Sequence, residues 1–336
     1  MTPSWSRWTP YIAAIALLLA MPNGASAFGS GDDRGVVGFK SLLLFTGART
    51  AALGGAGVAI PRDLSQLAIN PASVATTTRP VAAFSATNYV LDIIPAGGIV
   101  SYPTSTGVWS VAMHGITYGD FQRVNTTAGE DGTFGANDFA LDVGYARSFG
   151  HGISGGASVG WIHSSIDSYS ASALLFGIGV LWEFNDNATT LGASATNVGT
   201  AISSYIGGND GMKDEVPTML RVGATHRPEH FPVPLTLITD VELPRDDEAT
   251  LNVGAEIRPV EMLTLRIGYD ALVRYVSSEH SDKSGLSLDD RHTSNFGGIG
   301  LRFGFGLNWR EYGLDYAYAP VGPFGSVHQL TARVSW

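Results

Sequence analysis

The feature that most constrains this 336-residue chain is the recurrence of segments in which apolar and polar side chains alternate. The 262–270 segment shows the pattern, with Leu263, Leu265, Ile267 and Tyr269 interleaved with Thr264, Arg266, Gly268 and Asp270. Successive side chains of a β-strand point to opposite faces, so each such segment has one apolar and one polar face. A soluble sheet buries the apolar face in a core, whereas a membrane barrel turns it to lipid and keeps the polar face in its lumen.

The alternating segments predict about fourteen strands, whose lengths of about ten residues suit a tilted crossing of a bilayer. They fall at 79–91, 95–102, 107–117, 137–149, 151–163, 172–184, 189–198, 217–227, 233–243, 249–258, 262–271, 292–303, 306–318 and 327–336. The short connections are at 103–106, 150, 185–188, 259–261 and 304–305, and the long ones are at 119–136, 199–216, 273–291 and 319–326. Short and long connections alternate along the chain, which predicts an all-β fold, a transmembrane antiparallel β-barrel, rather than a sandwich or a solenoid.

The N-terminus has the composition of a secretory signal peptide. Arg7 is the only charged residue before Asp32, and an apolar run over residues 11–21 precedes the small residues Ala25-Ser26-Ala27. The run is too short for a spanning helix, which needs about 20 residues. The pattern therefore predicts export and cleavage after Ala27.

These observations divide the chain into three parts. We expect a signal peptide at 1–27, an N-terminal hatch or plug at 28–78, and the barrel at 79–336. The last predicted strand ends on Trp336, and a terminal aromatic residue in an amphipathic strand resembles the C-terminal assembly signal of outer-membrane barrels. The expected location is the cell outer membrane, with membrane lipid, lipopolysaccharide and the barrel-assembly machinery as partners.

Composition excludes several classes of function. The chain has no cysteine, which rules out a disulfide framework, a thiolate metal site and a cysteine-linked lipid anchor. Its formal net charge is −10, whereas binding of nucleic acid needs clustered Lys and Arg. We therefore expect no nucleic-acid partner.

The predicted lumen face carries charges of both signs. The candidate residues are Arg221, Glu256, Arg258, Arg266, Asp270, Arg302, Asp315 and Arg333, together with Asp142, Glu183, Asp240 and Glu242. Unpaired charges in a closed barrel are costly, so we interpret these residues as ion pairs that seat an internal segment. A ladder of charges that conducts a substrate is the alternative.

Many glycines also fall on the predicted lumen face. They are Gly144, Gly156, Gly160, Gly177, Gly179, Gly254, Gly268, Gly298 and Gly300. A barrel of about fourteen strands is too wide for its own wall side chains to fill. The glycines would leave room for a packed segment, and the segment 28–78, which lacks sustained alternation, is the obvious candidate.

The N-terminal segment contains a set of candidate site residues. They are Gly47, Arg49, Gly54, Gly55, Asp63, Asn70, Pro71 and Ala72. We expect Asp63 to be the N-cap of a short helix over 63–68, because its carboxylate can accept from amides of the first turn. Asn70-Pro71 would end that helix, since the residue before proline is disfavoured in the α region.

Together, these N-terminal motifs resemble the PorV/PorQ family, a group within the FadL-like outer-membrane barrels. The resemblance continues along the chain in the segments 217–223, 251–256, 265–269, 300–302 and 314–318. It implies a fourteen-stranded barrel with an N-terminal hatch in the lumen, and it places Asn70-Pro71-Ala72 in that hatch. The best-known members of the family act in type IX secretion.

No motif predicts an enzyme, a cofactor or a metal site. The cluster 54–57 lacks the Gly-x-Gly-x-x-Gly spacing of a nucleotide-binding loop. His226 and His230 have helical spacing, but Pro228 lies between them and argues against a helix. Acidic clusters at 130–131, 246–248 and 289–290 are more typical of solvated loops than of calcium sites.

Two classes of function remain. The first is a PorV/PorQ-type secretion shuttle or adaptor, which would dock a secreted protein cargo and have an occluded lumen. The alternative is a FadL-like transporter of hydrophobic small molecules, which predicts an apolar pocket and a strand kink. Candidate pocket residues in the hatch are Phe39, Leu42, Leu44 and Phe45.

Overall fold

The computed structural model describes residues 37–44, 47–125, 129–184, 188–205, 214–247, 249–270, 300–321 and 325–336. The predicted signal peptide, Phe45, Gly298 and the 273–291 connection lie outside these ranges. Within the ranges, no helix is long and apolar enough to cross a bilayer.

Fourteen antiparallel strands form one closed barrel, in which sequence neighbours pair and β1 pairs with β14. The strands are β1 (Val81–Asn88), β2 (Ile94–Pro103), β3 (Val108–Asn125), β4 (Gly129–Gly150), β5 (Ile153–Ile166), β6 (Tyr169–Phe184), β7 (Thr189–Ser203), β8 (Met219–His226), β9 (Leu235–Pro244), β10 (Thr250–Val260), β11 (Leu263–Asp270), β12 (Leu301–Trp309), β13 (Tyr312–Pro320) and β14 (Ser326–Ser335). The described helices are α1 (Ala48–Ala52) and the 3₁₀ helices Lys40–Leu44, Leu64–Gln66, Pro71–Val74 and Val90–Asp92. The predicted fold class and strand count are confirmed.

The two ends of the barrel differ. Short turns at 104–107, 151–152, 261–262 and 310–311 join strands at one end, which we call the short-turn end. The opposite end is the hairpin end, where β3 and β4, 18 and 22 residues long, rise above the rest of the wall. By contrast, β1 is only 8 residues long. β8 is equally short, so the height of the wall varies around the barrel.

The predicted turn at 304–305 is wrong. Gly304 and Phe305 lie in the middle of β12, where Gly304 pairs with Arg266 and with Ala317. The chain turns instead at 310–311, where Arg310 has φ +53°. Gly304 is a glycine because a Cβ there would lie 2.5 Å from the Cβ of Ala52. The part of the predicted 292–303 strand before residue 300 is outside the described residues.

The predicted long connection at 119–136 is also wrong for most of its length. β3 continues to Asn125 and β4 begins at Gly129, with register shifts between Thr117 and Asp120 and between Gln122 and Val124. Backbone hydrogen bonds extend the hairpin although apolar alternation has stopped, because the ladder does not depend on which side chains face lipid. In the same way, β7 extends to Ser203.

The outer face of the barrel is apolar. Large exposed side chains on it include Phe84, Val100, Trp109, Phe139, Trp161, Phe176, Trp182, Leu265 and Phe303. Phe84 is 56% exposed and Ile178 is 63% exposed, although neither is polar. Such a continuous apolar band around a closed barrel is the surface that lipid covers in membrane barrels.

The N-terminal segment runs through the lumen from the hairpin end to the short-turn end. Its side chains form the core together with the wall: Leu53, Val58 and Val74 have no exposed surface. At the hairpin end, Phe39 and Leu42 belong to an apolar cluster with residues of β3 to β7. The segment then leads into β1, so the core of this protein is the contact between segment and wall.

Candidate functional site

A chain of alternating charges joins the N-terminal segment to the wall. The Nε and Nη2 atoms of Arg49 donate to Oε1 and Oε2 of Glu256 at 2.7 and 2.6 Å. Arg49 Nη1 also donates to Oδ2 of Asp63 at 3.2 Å. Arg266 donates to Glu256 Oε1 at 2.7 Å and to Asp315 Oδ1 at 2.6 Å. We call these five residues the Arg49 network; it ties α1 to β10, β11 and β13.

Electrostatics keep the segment's part of the network ionised. Burial alone would lower the pKa of Arg49, but the carboxylates of Glu256 and Asp63 raise it above the usual range. Burial would raise the pKa of Asp63, but the Arg49 guanidinium and hydrogen bonds from Ser65 lower it overall. Asp63 also caps the following 3₁₀ helix, where its side chain accepts from the Ser65 amide.

A second anchor holds the loop after α1. The fully buried Asp240 of β9 accepts from the backbone amides of Gly57 and Val58 at 2.6 and 2.7 Å. The loop needs glycine at Gly54, which has φ +74° and whose Cβ would lie 2.7 Å from the backbone of Tyr269. Gly55 also has a positive φ, of +92°. The glycine pair therefore allows the close approach that Asp240 stabilises.

The Asn70-Pro71-Ala72 motif is the third anchor. Asn70 Nδ2 donates to the carbonyl oxygens of Val58 and of Val180 in β6, at 2.7 and 3.2 Å. Asn70 Oδ1 accepts from the amide of Ala72 at 3.0 Å and so caps the 3₁₀ helix that Pro71 begins. One side chain thus fixes the loop, the helix and the wall relative to one another.

Glycines of the lumen face contact the N-terminal segment. An added Cβ at each of these positions would meet an atom of that segment: Gly144, Gly156, Gly177, Gly179, Gly192, Gly223, Gly254, Gly268 and Gly304. At Gly156 the Cβ would lie 2.5 Å from the carbonyl carbon of Pro71. The segment is therefore packed directly against wall backbone.

The remaining candidate lumen charges lie outside the Arg49 network. Arg302 donates to Asp270 at 2.9 Å, and Arg221 donates to Glu242 at 2.8 Å. Both pairs lie between neighbouring wall strands.

The last candidates lie toward the short-turn end. Arg333 donates to the side-chain oxygen of Asn308 at 2.7 Å, and Arg258 is exposed. Gly47 is the N-cap of α1, and the exposed Trp336 donates its backbone amide to Pro80. These residues do not converge with the Arg49 network on a single site.

Sequence reasoning missed several anchors. Arg62 donates to Glu183 at 2.8 Å, Ser194 donates to the carbonyl oxygen of Ile69 at 2.6 Å, and Thr331 accepts from the Ala48 amide at 2.9 Å. Alternation placed Glu183 on the lumen face, but serine and threonine on that face carry no signal of their partner. In the described residues, no group of three or more His, Asp or Glu side chains could hold a metal ion.

A narrow cavity separates the N-terminal segment from β1, β2 and β3. Its lining is mostly apolar or small and includes Leu44, Leu64, Leu67, Ala83, Pro95, Gly97, Ile99 and Ala112, with the polar side chains of Ser85, Thr87, His114 and Gln329. We call it the β1–β3 cavity. Its free volume of about 40 Å³ has room for only a few water molecules.

The predicted pocket residues lie along one path. Leu44 lines the β1–β3 cavity, and Leu42 lines a second cavity next to it, which shares His114 and Leu67. Phe39 lies with Leu42 in the apolar cluster at the hairpin end. Apolar side chains therefore run from the hairpin end toward the β1–β3 cavity.

Solved structures with a similar fold include two toluene transporters and a FadL homologue. The Pseudomonas putida toluene transporter TodX matches with a TM-score of 0.57 and 13% identity, over 86% of this chain and 96% of that one. The Ralstonia pickettii toluene transporter TbuX has a TM-score of 0.53 and 14% identity, over 86% and 97%. A Pseudomonas aeruginosa FadL homologue has a TM-score of 0.52 and 12% identity, over 86% and 98%.

Sequence comparison adds no closer assignment. No protein-family model matches the chain, and no curated protein matches it in sequence. The structural matches have sequence identities too low to carry more than the fold. Together with the closed fourteen-stranded wall, they establish that this chain has the fold of the FadL-like outer-membrane barrels.

Proposed function

We propose that this protein is an outer-membrane channel for hydrophobic small molecules, which pass along the N-terminal segment beside β1, β2 and β3. The observation that carries the proposal is the apolar path from the cluster around Phe39 and Leu42 to the β1–β3 cavity. The solved channels of the same fold include two toluene transporters, which supports a hydrophobic ligand of similar size. A role as a transporter is thus better supported than a role as a secretion adaptor.

The distribution of anchors supports this route. Polar contacts hold residues 47–79 to the wall on β6, β7, β9, β10 and β14, through Glu183, Ser194, Asp240, Glu256 and Thr331. On β2 and β3 the same residues pack through apolar side chains, since Leu64 and Leu67 belong to one apolar cluster with Ile99 and Ala112. Apolar contacts are not directional, so they re-form around an apolar ligand more easily than ion pairs do.

The wall is also weakest in the same place. β1 and β2 share only six register pairs, from Val81 to Ala86. Pro95 of β2 lines the cavity and has no backbone N–H to give to a ladder. Widening of the 40 Å³ cavity is therefore expected to involve β1, β2 and the apolar side of the segment.

Filling the β1–β3 cavity tests the proposal. Ala112→Trp would place an indole in the cavity, whereas Val111→Trp, its neighbour on the same strand, would place it on the 43% exposed outer face. We expect uptake of labelled toluene by outer-membrane vesicles to fall at least tenfold in Ala112→Trp and to stay unchanged in Val111→Trp. Ala83→Phe, on β1 in the same row of the wall, provides an independent block.

Folding must be checked in each variant, by the heat-dependent shift in gel mobility of a closed barrel. Equal uptake by folded Ala112→Trp, folded Ala83→Phe and the unaltered protein would contradict the proposed route. Uptake no faster than that of vesicles without the protein would contradict the channel itself.

The location is part of the proposal. We infer export, cleavage after Ala27 and insertion in the outer membrane with lipid and lipopolysaccharide as neighbours, through the barrel-assembly machinery and with Trp336 as its signal. Fractionation of the membranes and N-terminal sequencing of the protein test this inference. A mature chain that begins at Phe28 in the outer-membrane fraction is the expected result.

Membership of the PorV/PorQ family, and with it a secretion adaptor role, rests on the sequence motifs alone. Its specific support is the hatch set, in which Arg49, Asp63 and Asn70 all act as anchors. Affinity purification from outer membranes in mild detergent separates the two roles. A stoichiometric secreted protein would favour the adaptor, and a lone barrel carrying an apolar molecule would favour the channel.

A further inference from the structure

A separate cavity, of about 780 Å³, opens at the short-turn end between the N-terminal segment and the turn that joins β8 to β9. Its charged lining residues are Arg49, Arg62, Arg227, Arg258, Glu229 and Glu256. We call it the arginine cavity. Its volume is in the range of small-molecule sites, which is about 300–1,000 Å³.

The charges on its surface are mainly positive. Arg62, Arg227 and Arg258 are exposed, whereas Glu229 is the one exposed acid in the lining. Glu256 is only 5% exposed, and Arg49 and Arg266 already occupy both of its oxygens. The whole chain has a net charge of −10, so a mainly positive surface differs from what its overall composition would give.

Two of these arginines retain unused donors. Arg62 gives one N–H to Glu183, but the Arg62 side chain is 51% exposed and that of Glu183 only 6%, so the carboxylate lies behind the guanidinium. Within the described ranges, the Arg258 side chain has no hydrogen-bond or ion-pair partner. Each guanidinium has five N–H donors in a fixed fork, and the carboxylates nearby do not saturate them.

The backbone holds Arg62 in place at a cost. Its φ is +61°, a left-handed conformation that is unfavourable for a residue with a Cβ by roughly 1 kcal/mol. A hydrogen bond of 2.7 Å from its amide to the carbonyl oxygen of Ser73 secures this conformation. As a result, the guanidinium lies at the cavity beside Pro61.

We propose that the arginine cavity binds a small oxyanion, a carboxylate or phosphate group, with Arg62 and Arg258 as its principal ligands. The guanidinium fork matches the two oxygens of such a group, and the hydrogen bonds are charge-assisted. Pro234 and Leu235 offer apolar surface for the body of a compact organic anion. The site is separate from the channel route, because β9 to β11 and the connection from β8 to β9 line it, whereas β1 to β3 do not.

Calorimetric titration of the full-length mature protein in detergent tests the proposal, with benzoate and inorganic phosphate as probes. Arg258→Gln and Arg62→Gly each remove one guanidinium group, and glycine readily adopts the φ of +61° at residue 62. We expect binding to weaken about 10- to 100-fold in each variant, because hydrogen bonds to charged groups contribute that much. Arg147→Gln, at the same end but outside the cavity lining, is the matched control and should bind as the unaltered protein does.

The outcomes separate the sources of the anion. Tighter binding of benzoate supports a carboxylate ligand, and tighter binding of phosphate supports a phosphate-bearing one. Neutral benzamide should not bind. Absence of binding by both anions, undiminished binding in the folded double variant Arg62→Gly/Arg258→Gln, or binding of an acidic peptide alone would overturn the proposal.

Discussion

Arg49 of α1 places two guanidinium nitrogens on the two oxygens of Glu256, at 2.7 and 2.6 Å, across the boundary between the N-terminal segment and β10. Glu256 is 5% exposed and also accepts from Arg266. This contact is therefore both an anchor of the segment and a part of the wall. Loss of the Glu256 carboxylate would leave the buried Arg266 and the partly buried Arg49 with only Asp315 and Asp63 as partners.

We expect Glu256→Gln to destabilise the folded protein by about 3 kcal/mol, because removal of one partner leaves uncompensated buried charge. Unfolding by guanidinium chloride in detergent, followed by tryptophan fluorescence, measures the change. Glu311→Gln, which changes an exposed acid of the 310–311 turn, is the control and should change the free energy of unfolding little.

The double variant tests the coupling between the two residues. Adding Arg49→Met to Glu256→Gln should lower the free energy of unfolding by less than the sum of the two single changes. Strict additivity would contradict the coupling.

Asp240→Asn should loosen the loop at Gly57 and Val58. The asparagine side chain would turn either its NH₂ group or its carbonyl oxygen toward the two amides that Asp240 now accepts from. The NH₂ group cannot accept, and the neutral oxygen is a weaker acceptor than a carboxylate, so we expect the free energy of unfolding to fall by about 1–3 kcal/mol. Hydrogen exchange followed by mass spectrometry should show faster exchange of a peptide that covers these amides. An unchanged exchange rate in the folded variant would mean that Asp240 is not what protects them.

Gly156→Ala should disturb the seat of the N-terminal segment. The new Cβ would lie 2.5 Å from the carbonyl carbon of Pro71, so backbone must move, at a cost of about 2 kcal/mol. The control is Gly98→Ala, whose Cβ would have its nearest neighbour at 3.5 Å. Limited proteolysis should cut the segment faster in Gly156→Ala only. Equal protection of both variants would contradict direct packing of Pro71 on β5.

Acid should weaken the anchor at Asp63. Its folded pKa lies below the ordinary value of 3.8, so its contribution to stability is complete above about pH 4 and is lost as the pH falls through the folded pKa. The free energy of unfolding should therefore decrease below pH 4, and Asp63→Asn should reduce that decrease. The expected comparison is between pH 6 and pH 3 in each protein. An identical decrease in both would show that other groups account for it.

Sequence reasoning was most successful where one side chain in two must face lipid. Leu265 and Ile267 lie on the outer face and Arg266 lies in the lumen because side-chain alternation is a property of the strand backbone itself. The same regularity predicts the closed fourteen-stranded wall. It does not depend on which residues a strand contacts inside.

The sequence-based predictions were wrong where packing inside the barrel sets the type of a residue. Gly304 has the appearance of a turn residue, but its lack of a Cβ makes room for Ala52. Beyond residue 117 apolar alternation ends, yet the paired backbones of β3 and β4 continue. A glycine in a sequence can mark either a turn or a site of close packing, and only its contacts in the folded protein distinguish the two.

The sequence by itself determined which faces are apolar and how many strands close the wall, because these follow from local periodicity. The tertiary structure decided which partners those residues have. Arg49 with Glu256 and Asp240 with the Val58 amide are contacts across more than 180 residues of chain, and no local pattern encodes the choice. Burial inside the barrel makes that choice, since a buried charge must find its partner wherever the fold brings one close.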